Sequence, residues 1–281
     1  MVKWYLENEY ATQIDLQNED VCIATAVTGL GMDTKSEYIG IGDHFIRNYL
    51  NPAMTALQLT LSFFNPSIYD KIQAVANFLV TAEKLFLVYQ PGLSSGIVYR
   101  REVEVSSYLK DSAKDGYISY KLKLNPTSLF YYKKSTRFEI SEMEGEKRYD
   151  FEWDAVFNDC ANRTLSIPGG NHVDVAFSVV INGYTENPKI EIVSNEKTVH
   201  ELVIPVTVQE GQFITYSSID GDLLCTLTDA SGNVTNLVNN FDLATNVFFK
   251  IPKAGATIQF TSDTDVMNTI VFTAYFFFKV V

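Results

Sequence analysis

Two stretches of alternation, ALQLTLSFF at 56–64 and YISYKLKL at 117–124, constrain this chain more than any other feature. A period of two sends successive side chains to opposite faces, so each stretch must be a strand with one face buried. In the second, Ile118, Tyr120, Leu122 and Leu124 share the apolar face and Tyr117, Ser119, Lys121 and Lys123 the polar one. Between the two stretches the period changes. Ile68, Ile72, Val75 and Leu79 fall at i, i+4, i+7 and i+11, which predicts one helix over 65–82, with Asn65 as N-cap and Pro66 at the first helical position. The apolar run 85–89 reads as a short strand ended by a turn at Pro91, Gly92 and Gly96. In IVYRREVEV, 97–105, Val103 and Val105 oppose Glu102 and Glu104, predicting another half-buried strand, joined to YISYKLKL through Asp115-Gly116. Residues 56–124 thus form a module of one strand, one helix and three further strands. Residues 20–55 receive no assignment, because Gly29, Gly31, Gly40 and Gly42 interrupt the pattern and 43–50 suits strand and loop equally. NPTSLFYYKK, 125–134, closes the module, and its bulky residues 129–132 mark a domain junction.

From about Arg137 the rhythm changes to short strands separated by turn signals: Pro168-Gly169-Gly170-Asn171, Asn182-Gly183, Asn187-Pro188, Glu210-Gly211, Asp220-Gly221, Ser231-Gly232-Asn233 and Ala254-Gly255. Such spacing predicts an antiparallel sandwich without helices. The strands expected are 176–181, 189–193, 201–208, 213–216, 223–229, 247–251, 257–261 and 269–278. With 281 residues the chain has room for two domains, expected at 1–133 and 134–281. The 19 Phe and 16 Tyr favour sheet in both.

Net charge is −12, and the acidity is concentrated in the second half. A phosphate-binding surface needs clustered Lys and Arg, so specific nucleic-acid binding is not expected, nor is attraction to an anionic membrane. Residues 270–278 are too short for a membrane-spanning helix, which needs about 20 residues, and are expected to form a buried terminal strand. The N-terminus lacks the apolar core of a signal peptide. Cys22, Cys160 and Cys225 are odd in number and far apart, as suits reduced thiols in a protein made in the cytoplasm.

Motifs for chemistry are missing. His44, His172 and His200 lack metal-ligand spacing, and His172-Val173-Asp174 suits a structural hydrogen bond. There is no nucleophile elbow and no phosphate loop; Gly29-Leu30-Gly31 is too short for a dinucleotide fingerprint. The pairs Asp220/Asp222 and Asp263/Asp265 are read as turn residues. The expectation is therefore a non-enzyme without cofactor or metal, although a distant carboxylate pair of the glycosidase kind leaves no trace in sequence spacing. For saccharide stacking the candidates are Tyr184 and Tyr216, with Trp153 in DFEWDAVF expected in the sandwich core.

The order ALQLTLSFFN, PSIYDKIQAVANFLV, KLFLVYQP and VYRREVEVSSYLKDSAKDGYISYKLKLNP resembles the N-terminal belt module of the siphophage distal tail protein (Dit) family. VFFKIPKAGATIQFTSDTDVMNTIVFTAYFFF resembles the closing strands of that family's C-terminal domain. The resemblance implies a mainly β chain: an N-terminal split-barrel-like β module with one α-helix, then a C-terminal galectin-like antiparallel β-sandwich. It implies a homohexameric ring that joins the tail tube protein to the tail-associated (tail fibre or lysin-like) protein and supports receptor-binding proteins at the virion tail tip. Strand edges would join neighbouring copies, with Val103, Val105, Ile118 and Tyr120 at the ring interface. No catalytic residues carry over. A carbohydrate-binding, adhesin-like module that contacts host-cell saccharide is the alternative, and a hub of a bacterial contractile or secretion system is a third reading.

Overall fold

The computed structural model describes residues 2–31, 33–41, 43–53, 55–92, 96–114, 116–139, 164–242, 245–264 and 269–279. The chain is mainly β with one α-helix. It divides into two compact units, one of Met1–Tyr132 with Phe277–Val281, the other of Lys133–Phe276. Trp153 and Cys160 lie outside the described residues, as does Asp265.

The first unit contains β1 (Lys3–Asn8), β2 (Gln13–Asp15), β3 (Gln17–Asn18), β4 (Cys22–Thr28), β5 (Asp33–Ile41), β6 (His44–Ala53), β7 (Leu57–Phe64), α1 (Ile68–Thr81), β8 (Leu85–Gln90), β9 (Tyr99–Lys114), β10 (Tyr117–Pro126) and the start of β11 (Phe130–Glu139). Eight strands form one antiparallel sheet in the order β2-β1-β8-β9-β10-β7-β4-β3. Its end strands, β2 and β3, are consecutive in the chain and separated only by Leu16. The Leu16 amide donates to the Trp4 carbonyl at 2.9 Å, and the Leu16 carbonyl accepts from the Ala24 amide at 2.6 Å. One residue therefore bonds to β1 near one end of the sheet and to β4 near the other. The sheet must curl on itself, giving a split barrel with the Leu16 side chain fully buried inside.

The barrel interior explains the alternation. Leu57, Leu59, Leu61 and Phe63 of β7 and Leu122 and Leu124 of β10 point inward, and Ile72, Val75 and Leu79 of α1 pack into the same core. Trp4 stacks on Tyr89 with ring centroids 4.3 Å apart. Glu7 of β1 is buried but not isolated: it accepts from Arg100 Nε of β9 at 3.1 Å and from Gln13 Nε2 of β2 at 2.5 Å. The helix begins later than the sequence predicts. Asn65-Pro66 is a cis peptide, Ser67 is the N-cap in the left-handed region (φ 60°), and the Lys71 amide donates to the Ser67 carbonyl. Pro66 is thus outside the helix, while the apolar stripe faces the core as predicted. β9 continues to Lys114, well beyond the strand expected at 97–105. The unassigned stretch supplies β4 and a long hairpin, β5–β6.

The second unit contains the rest of β11, β12 (Thr164–Ile167), β13 (Ala176–Asn182), β14 (Thr185–Glu186), β15 (Lys189–Ser194), β16 (Lys197–Val203), β17 (Thr207–Val208), β18 (Phe213–Ile219), β19 (Asp222–Thr228), β20 (Val234–Asn236), a 3-10 turn at Val238–Asn240, β21 (Ala256–Thr261) and most of β22 (Thr269–Phe278). One sheet runs β20-β19-β18-β13-β22 and the other β12-β21-β15-β16. Their apolar faces meet through Phe260 of β21 and Phe272 of β22, with centroids 6.0 Å apart, and Phe177 of β13 packs on Phe272, Tyr216 and Phe249. This is the sandwich that the turn spacing predicts. Residues 247–251 do not form the strand expected there. Apart from a bridge from Ile251 to Val175 they are a loop whose buried Phe249 and Ile251 fill the core. Gly169 and Gly255 permit a close backbone approach: a Cβ on Gly255 (φ +92°) would lie 2.6 Å from the Gly169 nitrogen.

Two outcomes follow from this packing. Leu16→Ala removes the closing side chain and opens a cavity, so it should destabilise the first unit by about 2–5 kcal/mol, read as a lower urea midpoint for that transition. Cys22 and Cys225 are buried, and burial pushes both thiols up to about 12. Because the thiolate is the reactive form, dithionitrobenzoate at about pH 8 should label neither in the folded protein and both in denaturant.

Candidate assembly surface

The β5–β6 hairpin is an arm. Its ladder runs from Ile41↔His44 at the tip to Asp33↔Ala53 at the base, with an irregularity between Glu37 and Tyr38, and neither strand pairs with any other described strand. At about 3.3 Å per residue, nine residues reach about 30 Å. Directly paired residues share a face, so Ile39, Ile46 and Ile41 fall on one side of the tip and Tyr38 and Phe45 on the other. All five are exposed, Phe45 by 78%. Phe45 also lies across Gly40, with ring carbons 3.7–4.0 Å from where a glycine Cβ would stand. An arm whose tip is apolar on both faces and exposed in the single chain is a surface built to be covered.

The interface residues expected from sequence fall differently. Val103 is 2% exposed and Ile118 7%, and both belong to the core of the first unit. That corrects their assignment to a surface: an apolar face suits a core and an interface equally, and here it is core. Tyr120 is half-buried and stacks on Tyr108 with centroids 4.7 Å apart. Val105, at the margin, is the one clearly exposed member of the set. The saccharide candidates are not brought together as a platform. Tyr216 points inward from β18, fully buried, and its hydroxyl donates to the Val247 carbonyl at 3.1 Å, so it offers no ring to a sugar. Tyr184 is half-exposed, with its hydroxyl bonded to the Glu186 carboxylate.

Polar groups elsewhere serve the fold. Asp220 pairs with Lys250, Asp263 accepts from Asn187 Nδ2 at 2.7 Å, and His200 stacks on Phe249. Asp229 accepts from the amides of Ser231 and Asn233 and so closes the β19–β20 turn. Asp174 accepts from the Lys253 amide at 2.9 Å. Arg101 is buried; its Nε donates to the Ser128 carbonyl, its guanidinium lies 4.9 Å from the centroid of the Phe130 ring, and burial lowers it to about 10. Among the described residues no group of three or more His, Cys, Asp or Glu could hold a metal, and no helix is long and apolar enough to cross a membrane.

Residues 3–127 match the family model described as the distal tail protein, N-terminal domain. No curated protein matches in sequence. Over the whole chain the fold is similar to a chain of the phage P2 baseplate in its activated conformation with Ca, at 12% identity and a TM-score of 0.70, with 100% of both chains covered. It is also similar to SPP1 Dit (gp 19.1), described as a paradigm of the hub adsorption apparatus in phages infecting Gram-positive bacteria. There the identity is 12% and the TM-score 0.59, over 97% of this chain and 99% of that one. The split barrel and its single helix lie within the matched residues, so residues 3–127 are a distal tail protein N-terminal domain, and the likeness in fold extends over the sandwich that follows.

Proposed function

We propose that this chain is the hub of a siphophage or prophage tail tip. Six copies form a ring through the first unit, joining the tail tube protein on one side to the tail-associated protein on the other, while the second unit supports receptor-binding proteins. The work is geometric and not enzymatic. The protein is made in the host cytoplasm and acts at the tip of the virion tail. One observation carries the reading: an arm about 30 Å long, paired with no other described strand and apolar on both faces of its tip, extends from the barrel. A strap of that kind is costly to leave in water and serves to hold a neighbouring copy. An arm that grips a part of the neighbour other than its arm makes a heterologous contact, which closes when the rotation per copy divides a full turn. The family match and the likeness to tail-hub folds support the same role. With a net charge of −12 the ring would repel a nucleic acid passing through its lumen instead of gripping it.

Light scattering after size exclusion should give six times 31.7 kDa, about 190 kDa, and negative-stain images of that peak should show rings. A mass of 31.7 kDa at every concentration, with no rings, would sink the proposal. Phe45→Asp places a charge on the exposed arm tip and should shift the mass to the monomer with an unchanged thermal melt. Val103→Asp behaves otherwise. It leaves an unpaired carboxylate in the barrel core, which costs several kcal/mol, so the first unit should unfold without yielding a clean monomer.

A further inference from the structure

Asn182-Gly183 is the one Asn-Gly step in the chain, and nothing in the hub role draws on it. It stands where β13 ends. Asn182 is the last residue of that strand, exposed, and closes two ladders, paired with Phe213 of β18 on one side and Thr269 of β22 on the other. Gly183 follows in the turn at φ +99°. Among the described residues nothing bonds to the Asn182 side chain. The Gly183 amide reaches its acceptor, the Gln212 carbonyl, only at 3.5 Å, beyond the usual N–H···O range. Comparable turn residues of the second unit are tied down. Asp220, before Gly221, pairs with Lys250; Asn171 donates from Nδ2 to the Pro168 carbonyl and Asn187 from Nδ2 to Asp263; Asp229 accepts from the amides of Ser231 and Asn233.

We infer that Asn182 is a self-modification site, at which the chain converts its own asparagine to aspartate and isoaspartate as the protein ages. The inference is independent of the ring reading. The Gly183 nitrogen bonds to Asn182 Cγ, the Cγ–Nδ2 bond breaks, and Nδ2 leaves as ammonia, carrying the proton that the Gly183 nitrogen gave up. A cyclic imide results. Water then adds to one of its two carbonyls: opening at Cγ gives aspartate, and opening at the backbone carbonyl gives isoaspartate, with the main chain one methylene longer. Water is the only co-reactant. Glycine suits the attack because no side chain screens its nitrogen and its backbone turns freely. Pairing at Phe213 and Thr269 opposes it by holding Asn182 extended, but this is the end of both ladders, where local opening costs least. The new carboxyl is ionised at neutral pH. It enters an uncharged neighbourhood, with Phe213 and Thr269 across the ladders and Val180 two residues back on the same face.

The test incubates the full folded chain in mildly alkaline buffer beside a synthetic peptide of residues 180–186, with samples followed by peptide mass spectrometry, ion-exchange chromatography and an isoaspartate methyltransferase assay. The fragment holding Asn182-Gly183 should gain the mass difference between a hydroxyl and an amino group ahead of every other asparagine-containing fragment. A species with one more negative charge should grow in step, and the methyltransferase should label that fragment. Asn182→Gln keeps an uncharged amide at this exposed position but lengthens the arm that must close the ring, so it should fold alike and lose both the acidic species and the label. Conversion of the free peptide while Asn182 in the folded chain stays unmodified overturns the inference, as does an acidic, labelled species that forms equally fast in Asn182→Gln.

Discussion

Leu16 bonds to both margins of an eight-stranded sheet, and the first unit depends on that closure. Strands β2 and β3 are short and adjacent in sequence, yet they end opposite sides of the sheet, so nothing but curvature can bring Trp4 and Ala24 to the two polar groups of one residue. Once the sheet curls, its concave face becomes an interior. The run Leu57, Leu59, Leu61 and Phe63 then has a place to be buried, and α1 covers that interior with Ile72, Val75 and Leu79. The pair of Arg100 with the buried Glu7 joins β9 to β1 across β8, and the stacked rings of Trp4, Tyr89 and Tyr99 run across the same three strands.

Closing the barrel pairs most of the described strands on both sides and leaves two long segments with unpaired outer edges among them. β9 extends past β8, and the β5–β6 arm leaves the barrel altogether. Free edges are usually shielded against unwanted pairing by charge, proline or brevity. Here they are long, and one ends in Tyr38, Ile39, Ile41, Phe45 and Ile46 exposed together. A monomer gains nothing from that arrangement. In an assembly those side chains would be covered. The sandwich, with its own core of Phe177, Tyr216, Phe249 and Phe272, needs nothing from the arm to fold.

How much of this the sequence carries depends on how each residue advertises its face. Strict alternation in β7 and β10 and the stripe of α1 were legible, because one apolar face among polar neighbours admits one period. The helix start was misread: Asn65 and Pro66 satisfy the usual cap preferences, but the chain enters α1 through Ser67 in the left-handed region. The arm was illegible for the reason that makes it interesting. Its apolar residues occupy both faces, Gly40 interrupts the run, and the irregularity beside Glu37 shifts the register, so no single period survives. Val103 and Ile118 show the converse limit, since alternation says which side chains share a face and not whether core or partner covers it. In the sandwich, turn signals placed most strands, while 247–251 has a strand's composition and fills the core as loop.

Amide hydrogen exchange tests the central claim most directly, because it reads whether the arm is covered without presuming by what. The outward-facing amides of β5 and β6, those not bonded within the hairpin, should be strongly protected in concentrated protein and lose that protection on dilution below the association midpoint, while Leu57–Phe64 in the barrel stays protected throughout. Protection in the arm that is the same at every concentration, or that is absent from the assembled species, would contradict the account.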